Sequence, residues 1–346
     1  MSKTLQDYAT LINDTIQSNE INHYITTDNM CQNLGGIDTF KNINIPQGKV
    51  RSFQKDDILL SNIRLYFRKV YRAKQKGGCS SDVLVFRAKH IDSATLFAIL
   101  SSQIFTDYAC SGSQGSKMPR GNKTHMMDFK IPTINFTIAK IFNSIQNKIE
   151  NNHKINELLH TLAYKIYEYY FKYKPKNAKL EQIIIENPKS SIMVKNAQKT
   201  QDKYPFFTSG DNILSYPKAI IDGRNCFLNT GGNAGIKFYV GKASYSTHTW
   251  CICANEFSDY LYLLLSSIKN HINQSFFQGT SLKHLQKNLL KKYPIYMPSA
   301  HEIKKFNQMI MPLLTLISIN TRTSKKLEQV RDFLLPLLLK QQVKPQ

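Results

Sequence analysis

Residues 134–174 read INFTIAKIFNSIQNKIENNHKINELLHTLAYKIYEYYFKYK. Lys, Asn, Glu and His separate apolar residues that recur at steps of three and four, which predicts one long amphipathic helix. About forty residues at a rise of 1.5 Å each would form a rod of roughly 60 Å, longer than one compact domain needs. The apolar positions are Ile138, Ile141, Ile145, Ile149, Ile155, Leu159, Leu162 and Ile166.

A second helical rod is predicted from about Ala300 to Lys340. Pro312 and Pro336 lie inside it, and because proline lacks a backbone N–H, we expect this rod to be interrupted. If the two rods pack antiparallel, they would hold the segments that precede them apart as a pseudo-dimer within one chain. A simple dimerisation coiled coil is the alternative reading of the same pattern.

The segments that precede the two rods share one order of sequence features. DDILLSNIR corresponds to YPKAIIDGRNCFLNT, CSSDVLVF to SYSTHTWCI, and IDSATLFAILSSQIF to FSDYLYLLLSSIKNHI. SGSQGSKMPRGNKT then corresponds to SFFQGTSLKHLQKN, and MDFKIPT to KKYPIYMPS. The repeat therefore predicts two homologous modules. Four landmark pairs keep nearly one offset: Ser80 to Ser246 (166), Ser101 to Ser266 (165), Gly115 to Gly279 (164) and Pro132 to Pro298 (166).

Composition indicates a globular protein with a polyanionic partner. The 346 residues are 42% hydrophobic, and 46 Lys plus Arg against 24 Asp plus Glu leave a net charge of +22. Nucleic acid is the first candidate for such a surplus, although a lysine-rich genome or an acidic membrane surface could also account for it. No apolar run is long enough to span a bilayer, so we expect a soluble, cytoplasmic protein. The six cysteines follow no metal-site spacing and are expected to be reduced and mostly buried.

The first module is predicted to begin with a short amphipathic helix over residues 1 to about 20. Short β-branched and aromatic runs then indicate a mixed α/β domain up to about residue 133. Residues 91–105 predict a helix capped by Asp92 or Ser93.

Several phrases resemble the specificity subunit of type I restriction-modification systems: INHYITTDNM followed by GGI, YPFFTSG, FLNTGGNAG, KFYVGKASYSTHTW, and the loop QGS or QGTSLKHL before a proline. The resemblance implies an α+β fold with two similar mixed α/β target-recognition domains, joined by two long antiparallel helices as a coiled-coil spacer with pseudo-twofold symmetry. The implied domains are 1–133 (N-terminal helix and first recognition domain), 134–175 (central helix), 176–299 (second recognition domain) and 300–346 (C-terminal helix).

By the same resemblance, each recognition domain would read one half of a bipartite, asymmetric DNA site. The halves would lie about one helical turn apart. The chain would dock two N6-adenine methyltransferase subunits that bind S-adenosylmethionine, and optionally, through them, two restriction subunits that use ATP and Mg²⁺. No cofactor or metal is expected in this chain. The first domain departs from the pattern, since NIRLYFRKVYRAKQKGG stands where the second domain has FLNTGGNAG.

DNA contacts require cations for phosphates, and Arg, Lys, Asn, Gln, Ser or Thr for base edges. In the first module the candidates are Arg64, Arg68, Lys69, Arg72, Lys74 and Lys76, with Tyr66 and Tyr71 interleaved, and Ser113, Gln114, Lys117, Arg120 and Lys123. In the second they are Lys203, Tyr204, Ser209, Asn229, Thr230, Asn233, Lys237, Gln278, Thr280, Ser281, Lys283 and His284.

Catalytic and nucleotide-binding alternatives lack supporting motifs. NTGGNAG is not GxxxxGK[ST], and we expect a tight turn beside the DNA instead. Ser246 and His248 would share one face of a strand, but no orienting acid is evident, and Trp250 is expected in the core. No methyltransferase signature or nuclease core is recognisable, so the chain is predicted to be non-catalytic. An autonomous DNA-acting enzyme, and a coiled-coil scaffold or membrane-surface protein, remain the rival classes.

Overall fold

In each half of the chain an antiparallel four-stranded sheet carries helices on one face, and the strands follow the same order. The computed structural model describes residues 3–38, 43–131, 133–197, 203–210, 213–279 and 282–339. It divides into a first unit, Met1–Asn151 with Lys326–Gln346, and a second unit, Asn152–Lys325. Thr280, Ser281 and Pro132, named in the predictions above, lie outside the described residues.

The first unit contains eight described strands and four short helices. Its main sheet has the order β1-β8-β5-β6, and a second sheet has the order β2-β4-β7-β3. The strands are β1 (Ala9–Ile12), β2 (Thr15–Gln17), β3 (Tyr24–Ile25), β4 (Lys49–Phe53), β5 (Ile58–Ser61), β6 (Val70–Arg72), β7 (Gly77–Cys79) and β8 (Val83–Ala88), and the helices are α1 (Leu5–Tyr8), α2 (Ser93–Leu100), α3 (Gln103–Ser111) and α4 (Lys123–Met127).

The second unit repeats the main sheet of the first, but its second sheet has three strands instead of four. Its main sheet has the order β10-β16-β13-β14, again with antiparallel neighbours. The strands are β9 (Ala178–Lys179), β10 (Ile185–Glu186), β11 (Tyr204–Phe207), β12 (Leu214–Tyr216), β13 (Arg224–Asn229), β14 (Ile236–Val240), β15 (Ser244–Tyr245), β16 (Thr249–Cys253), β17 (Phe277–Gln278), β18 (His284–Leu285) and β19 (Pro294–Ile295), and the helices are α6 (Ser258–Ser267), α7 (Lys269–Ser275) and α8 (Lys287–Lys291).

Two long helices complete the fold: α5 (Phe136–Tyr167), extended by a π-helical turn at Glu168–Lys172, and α9 (Ala300–Leu338). Within each unit their segments run antiparallel. In the second unit Asn152 Nδ2 donates to Ser324 Oγ at 3.1 Å, and Asn320 Nδ2 donates to Asn156 Oδ1 at 3.0 Å. In the first unit Arg331 Nη1 donates to Gln146 Oε1 at 3.0 Å.

The core of each unit lies between the main sheet and its helices. In the first unit α2 contributes five buried apolar residues, Leu96 through Leu100, and Asp92 caps this helix as predicted. The helix predicted over 91–105 is divided, because Ser102 caps a second helix, α3. In the second unit, α6 places Leu261 and its neighbours against the sheet.

Two sequence predictions about helices are wrong. Among the described residues from 3 to about 20, the α-helix covers only Leu5–Tyr8, and β1 and β2 follow, because β1 pairs with β8 along its whole length. The rod from Ala300 is not interrupted at Pro312 or Pro336. Each proline removes one backbone donor, and the buried residues Phe306, Ile310 and Leu314 hold the helix through the first site. None of the helices described is long and apolar enough to cross a membrane.

Candidate nucleic-acid interface

In the first unit, the connection between β5 and β6 (residues 62–69, the first connection) is fixed to two neighbouring loops. Asn62 N–H donates to Asp82 O at 2.8 Å, and Asn62 O accepts from Gly121 N–H at 3.2 Å. Arg64 N–H donates to Pro119 O at 2.9 Å. A Cβ at Gly121 would lie 2.0 Å from Met126 Cε and 2.8 Å from Leu65 Cδ1, so the close packing beside this loop favours glycine.

The loop that reaches the first connection carries the predicted basic residues. The backbones of Gln114 and Arg120 exchange two hydrogen bonds of 2.9 and 2.8 Å, which close the loop. Arg120 Nε donates to Asp82 Oδ1 at 3.1 Å, and Arg64 Nη2 donates to Lys117 O at 3.3 Å. Gln114, Lys117 and Arg120 are all exposed. The structure thus brings these four predicted residues onto one face.

The second unit has the same arrangement around the connection between β13 and β14 (residues 230–235, the second connection). Thr230 N–H donates to His248 O at 3.2 Å, and Thr230 O accepts from Leu285 N–H at 3.0 Å. Gly232 N–H donates to Lys283 O at 2.9 Å. The two backbone bonds of Thr230 match those of Asn62, so one frame positions both connections.

The second connection is the predicted tight turn, and side chains shape it from within. Asn229 is buried, and its Nδ2 donates to Ser209 O at 2.9 Å and to Asn233 O at 3.1 Å. Lys237 Nζ donates to Thr208 O at 2.9 Å and approaches Asn229 Oδ1 at 3.4 Å. The buried Asn229 amide is engaged with the chain's own carbonyls, whereas Asn233 is exposed.

Each connection, together with the loops that hydrogen-bond to it, is called the first or the second cluster. Other predicted residues lie around these two clusters. Ser113 Oγ donates to Ala109 O at 3.1 Å, and exposed Lys123 begins α4. Gln278 and Lys283 are exposed and flank the part of the loop outside the described residues, and His284 is exposed beside them. The clusters therefore retain polar and basic side chains on their rims.

Arg72 and Lys74 lie away from the first connection. Arg72 is opposite Ile58, at the other end of the hairpin, where it binds Asp56 Oδ1 at 2.8 Å and Asn143 Oδ1 at 2.8 Å. Lys74 Nζ donates to Asn147 Oδ1 at 2.6 Å. Both side chains thus tie the sheet edge to α5. Lys76 is exposed beyond them.

Arg68, Lys69 and Lys203 are also placed apart from the exposed rims. Arg68 Nη2 donates to Ser101 O at 2.9 Å, and burial lowers the pKa of its guanidinium. Lys69 Nζ donates to Thr27 O. Lys203 Nζ lies 5.5 Å from the ring centre of Tyr204, at the end of β11 opposite to Ser209.

The residues considered for catalysis have structural roles here. Ser246 and His248 lie in the turn between β15 and β16, so the expectation that they share a strand face is wrong. Ser246 is buried, with its Oγ 2.9 Å from Thr249 Oγ1, and the His248 carbonyl accepts from Ser209 Oγ. Trp250 is in the core, as predicted, with Nε1 donating to Glu186 Oε2 at 2.8 Å. No His, Cys, Asp and Glu cluster suited to a metal occurs among the described residues.

Sequence reasoning missed Asp82 and Asn62, which position the first cluster. Asp82 orients Arg120 through its carboxylate and Asn62 through its carbonyl. The repeat offset offered a signal, since Asp82 stands 166 residues before His248, which has the same backbone role. An acidic side chain such as that of Asp82 repels phosphate, so its residue type gave no signal for a DNA-binding role.

Comparison with known proteins agrees with this geometry. Residues 176–329 match the sequence model of the family described as type I restriction modification DNA specificity domain. A search of curated proteins gave no match. Among solved structures, the type I restriction-modification S subunit from M. genitalium is similar over 99% of this chain and 96% of its own, with a TM-score of 0.63 and 14% identity. The HsdS subunit from Thermoanaerobacter tengcongensis matches over 98% and 96%, with a TM-score of 0.37 and 14% identity.

The first structural match shows that the two-unit fold extends over nearly the whole chain, and the family match covers most of the second unit and part of α9. The fold and the repeated strand order confirm the predicted fold class. Residues 176–329 are therefore similar to the type I restriction modification DNA specificity domain, and the chain as a whole shares the fold of the M. genitalium S subunit.

Proposed function

We propose that each unit reads one half of a bipartite duplex DNA site with the face formed by its connection and the two loops that hold it. The observation that supports this proposal is that both connections are held in the same way. Asn62 and Thr230 make the same pair of backbone hydrogen bonds in the two units. A frame that is fixed while its rim residues differ suits a reader of sequence, because base readout depends on precisely held side chains.

Electrostatics supports this assignment. Lys117, Arg120 and Lys123 stand exposed on the rim of the first cluster, and Lys283 on that of the second, within a chain of net charge +22. Cations so placed would neutralise phosphates and release counterions, whereas Gln114, Thr230, Asn233 and Gln278 can hydrogen-bond base edges. Ser113, Ser209, Thr280 and Ser281 complete the proposed polar set.

The remaining proposed residues support these faces from behind. Arg68, Lys69, Asn229 and Lys237 donate to carbonyls within their own unit, and Arg72 and Lys74 bind α5. Their substitution would weaken binding by displacing the loops or the sheet, rather than through a lost DNA contact. Lys203 and Tyr204 would at most extend the second face along β11.

The chemistry would come from partners, with this chain contributing no catalytic group. We propose that the long helices α5 and α9 dock two methyltransferase subunits carrying S-adenosylmethionine, and through them restriction subunits that use ATP and Mg²⁺. The domain limits predicted at residues 133, 175 and 299 would then separate the two recognition domains from the helices that space them. In this proposal the helix length sets the number of base pairs between the half-sites.

Paired substitutions that remove equal charge test the proposed faces. Lys117→Ala with Lys123→Ala should weaken DNA binding and lower the slope of log K against log salt by about 0.9 per lost phosphate contact. Lys55→Ala with Lys89→Ala is the matched control. These exposed lysines lie beyond the ends of β5 and β8 that are farther from the first connection. Binding is measured by titration of labelled duplex at several salt concentrations.

Sequencing of methylated sites separates the two readers. With a partner methyltransferase present, Asn233→Ala with Lys283→Ala should relax one half-site and leave the other unchanged, while Lys242→Ala, at the far end of β14, should change neither. Equal effects of the rim pairs and their controls on binding and on the methylated motif would contradict the proposal.

A further inference from the structure

Tyr66, at the tip of the first connection, is an exposed aromatic residue, and the second connection has no aromatic residue. Its side chain is 54% exposed, although the residues on both sides are anchored. Leu65 is buried in the core, and the Phe67 carbonyl accepts from Asn33 N–H at 2.9 Å. An exposed ring on a fixed backbone loses little conformational freedom when it meets a ligand.

The backbone around Tyr66 is strained. Residues 65–67 form a single 3₁₀ turn, and the arginines on either side, Arg64 and Arg68, have left-handed φ values of 50° and 49°. Leu34, whose N–H donates to Arg68 O at 3.1 Å, has φ of 61°. Non-glycine residues rarely adopt this conformation, and when they do they cluster at binding and catalytic sites.

The strained turn also contains polar atoms without partners. Three buried atoms have no hydrogen-bond partner among the described residues: Nε of Arg64, Nε of Arg68 and Oδ1 of Asn62. The same is true of Oγ of Ser101, whose carbonyl accepts from Arg68. Buried polar atoms are normally satisfied, so their concentration beneath one turn indicates that something other than stability shaped it.

The surroundings of Tyr66 favour DNA as what it meets. Arg64 links the turn to Lys117 O at 3.3 Å, so the tyrosine projects from the same frame as the exposed Lys117 and Arg120. An apolar ring among cations is suited to a base, whose flanking phosphates satisfy the cations. Tyr71, the other tyrosine of this segment, packs against a core cluster, and burial raises its pKa to about 12.

We propose that Tyr66 makes an apolar contact with one base of the half-site read by the first unit, either against a thymine methyl group or by stacking on an unstacked base. This rests on the proposed function. The second connection, TGGNAG, presents no aromatic side chain, so only one half-site would be read in this way. Aromatic contacts with bases and thymine methyls are established modes of recognition.

The test is a double-mutant cycle between protein and DNA. The full chain with its methyltransferase partner, as wild type, Tyr66→Ala or Tyr66→Phe, is titrated with duplexes in which single thymines are replaced by deoxyuridine. Tyr66→Ala should weaken specific binding about 10- to 100-fold, the usual effect of losing one aromatic contact with a base. Tyr66→Phe should retain most of the affinity.

For a methyl contact, one deoxyuridine position in the half-site of the first unit should weaken binding of the wild type and have no further effect on Tyr66→Ala. For stacking, no deoxyuridine position couples, but 2-aminopurine at one position becomes fluorescent with the wild type and not with Tyr66→Ala. Substitutions in the other half-site serve as the internal control.

Unchanged affinity and an unchanged methylated motif for Tyr66→Ala would overturn the inference. If Lys117→Ala with Lys123→Ala still weakened binding, the proposed face would stand without Tyr66. If neither variant altered binding, the proposed function itself would fail. Thermal unfolding of each variant checks that a loss of binding is not a loss of fold.

Discussion

The two connections occupy the same place in the same strand order, yet they are closed by opposite means. The first uses a 3₁₀ turn between left-handed Arg64 and Arg68, and its Asn62 Oδ1 is left without a partner among the described residues. The second uses Gly232, with φ of 81°, and the buried Asn229 amide, which spans the turn. The same backbone hydrogen bonds therefore hold two turns that are closed differently, which is what the proposed reading of two half-sites of different sequence requires.

The two units also differ in how an arginine attaches the main sheet to a long helix. In the first unit Arg72 binds the half-exposed Asp56 and reaches Asn143 of α5. In the second unit Arg224 binds Asp259, whose side chain is only 2% exposed, and donates to Thr315 Oγ1 of α9 at 3.0 Å. Both arginines secure a sheet to a helix, but only one of the two carboxylates is buried.

The largest effect should come from breaking the buried ion pair. Arg224→Ala should lower the free energy of unfolding by about 3–5 kcal/mol, because it leaves the buried Asp259 carboxylate without its partner. Arg72→Ala should cost about 1 kcal/mol, since Asp56 can be hydrated. Urea unfolding followed by circular dichroism measures both, and an equal loss for the two variants would refute the contrast.

The next effect concerns the turn amides. Asn229→Ala should lower the free energy of unfolding by about 1–3 kcal/mol, because the carbonyls of Ser209 and Asn233 lose their donor. Asn62→Ala should cost less, since Asn62 Oδ1 forms no hydrogen bond with the described residues. Exposed Asn233→Ala should change stability by no more than about 0.5 kcal/mol. The same unfolding measurement applies, and a larger loss for Asn62→Ala would reverse the assignment of which turn depends on its amide.

The smallest effect lies at the helix caps. Asp92 accepts from Thr95 N–H at 2.9 Å, whereas α6 of the second unit has no side-chain cap. Asp92→Ala should therefore cost about 1 kcal/mol, and Asp92→Asn less. Burial opposes ionisation of Asp92, but hydrogen bonds from Thr95 outweigh it and lower the pKa below 3.8.

Because the folded pKa of Asp92 is below the unfolded one, its charge contributes stability above about pH 4 that is lost as the pH falls through the folded value. The difference in stability between wild type and Asp92→Asn should shrink on acidification. Unfolding measured from pH 6 to pH 3 checks this, and a difference that widened would show that Asp92 does not act through its charge.

Local patterns in the sequence predicted much of the fold. The apolar spacing of 134–174 predicted α5, and the repeat offsets predicted two modules whose sheets have the same strand order. The cap at Asp92 and the turn at NTGGNAG followed from residue preferences over a few positions. These features depend on neighbours within a turn or two of chain, and the duplication supplied a second copy of each signal.

What the sequence alone determined is the repeated order of elements, the two long helices and the excess of positive charge. The tertiary structure decided the rest: that residues 9–12 pair with β8 instead of continuing a helix, that α9 continues through Pro312, and that Arg72 binds Asn143 of α5 while Arg120 binds Asp82. The physical reason is that periodicity and capping act over a few residues, whereas strand pairing and the partner of a long cationic side chain depend on segments distant in the chain, whose contacts outweigh local preference.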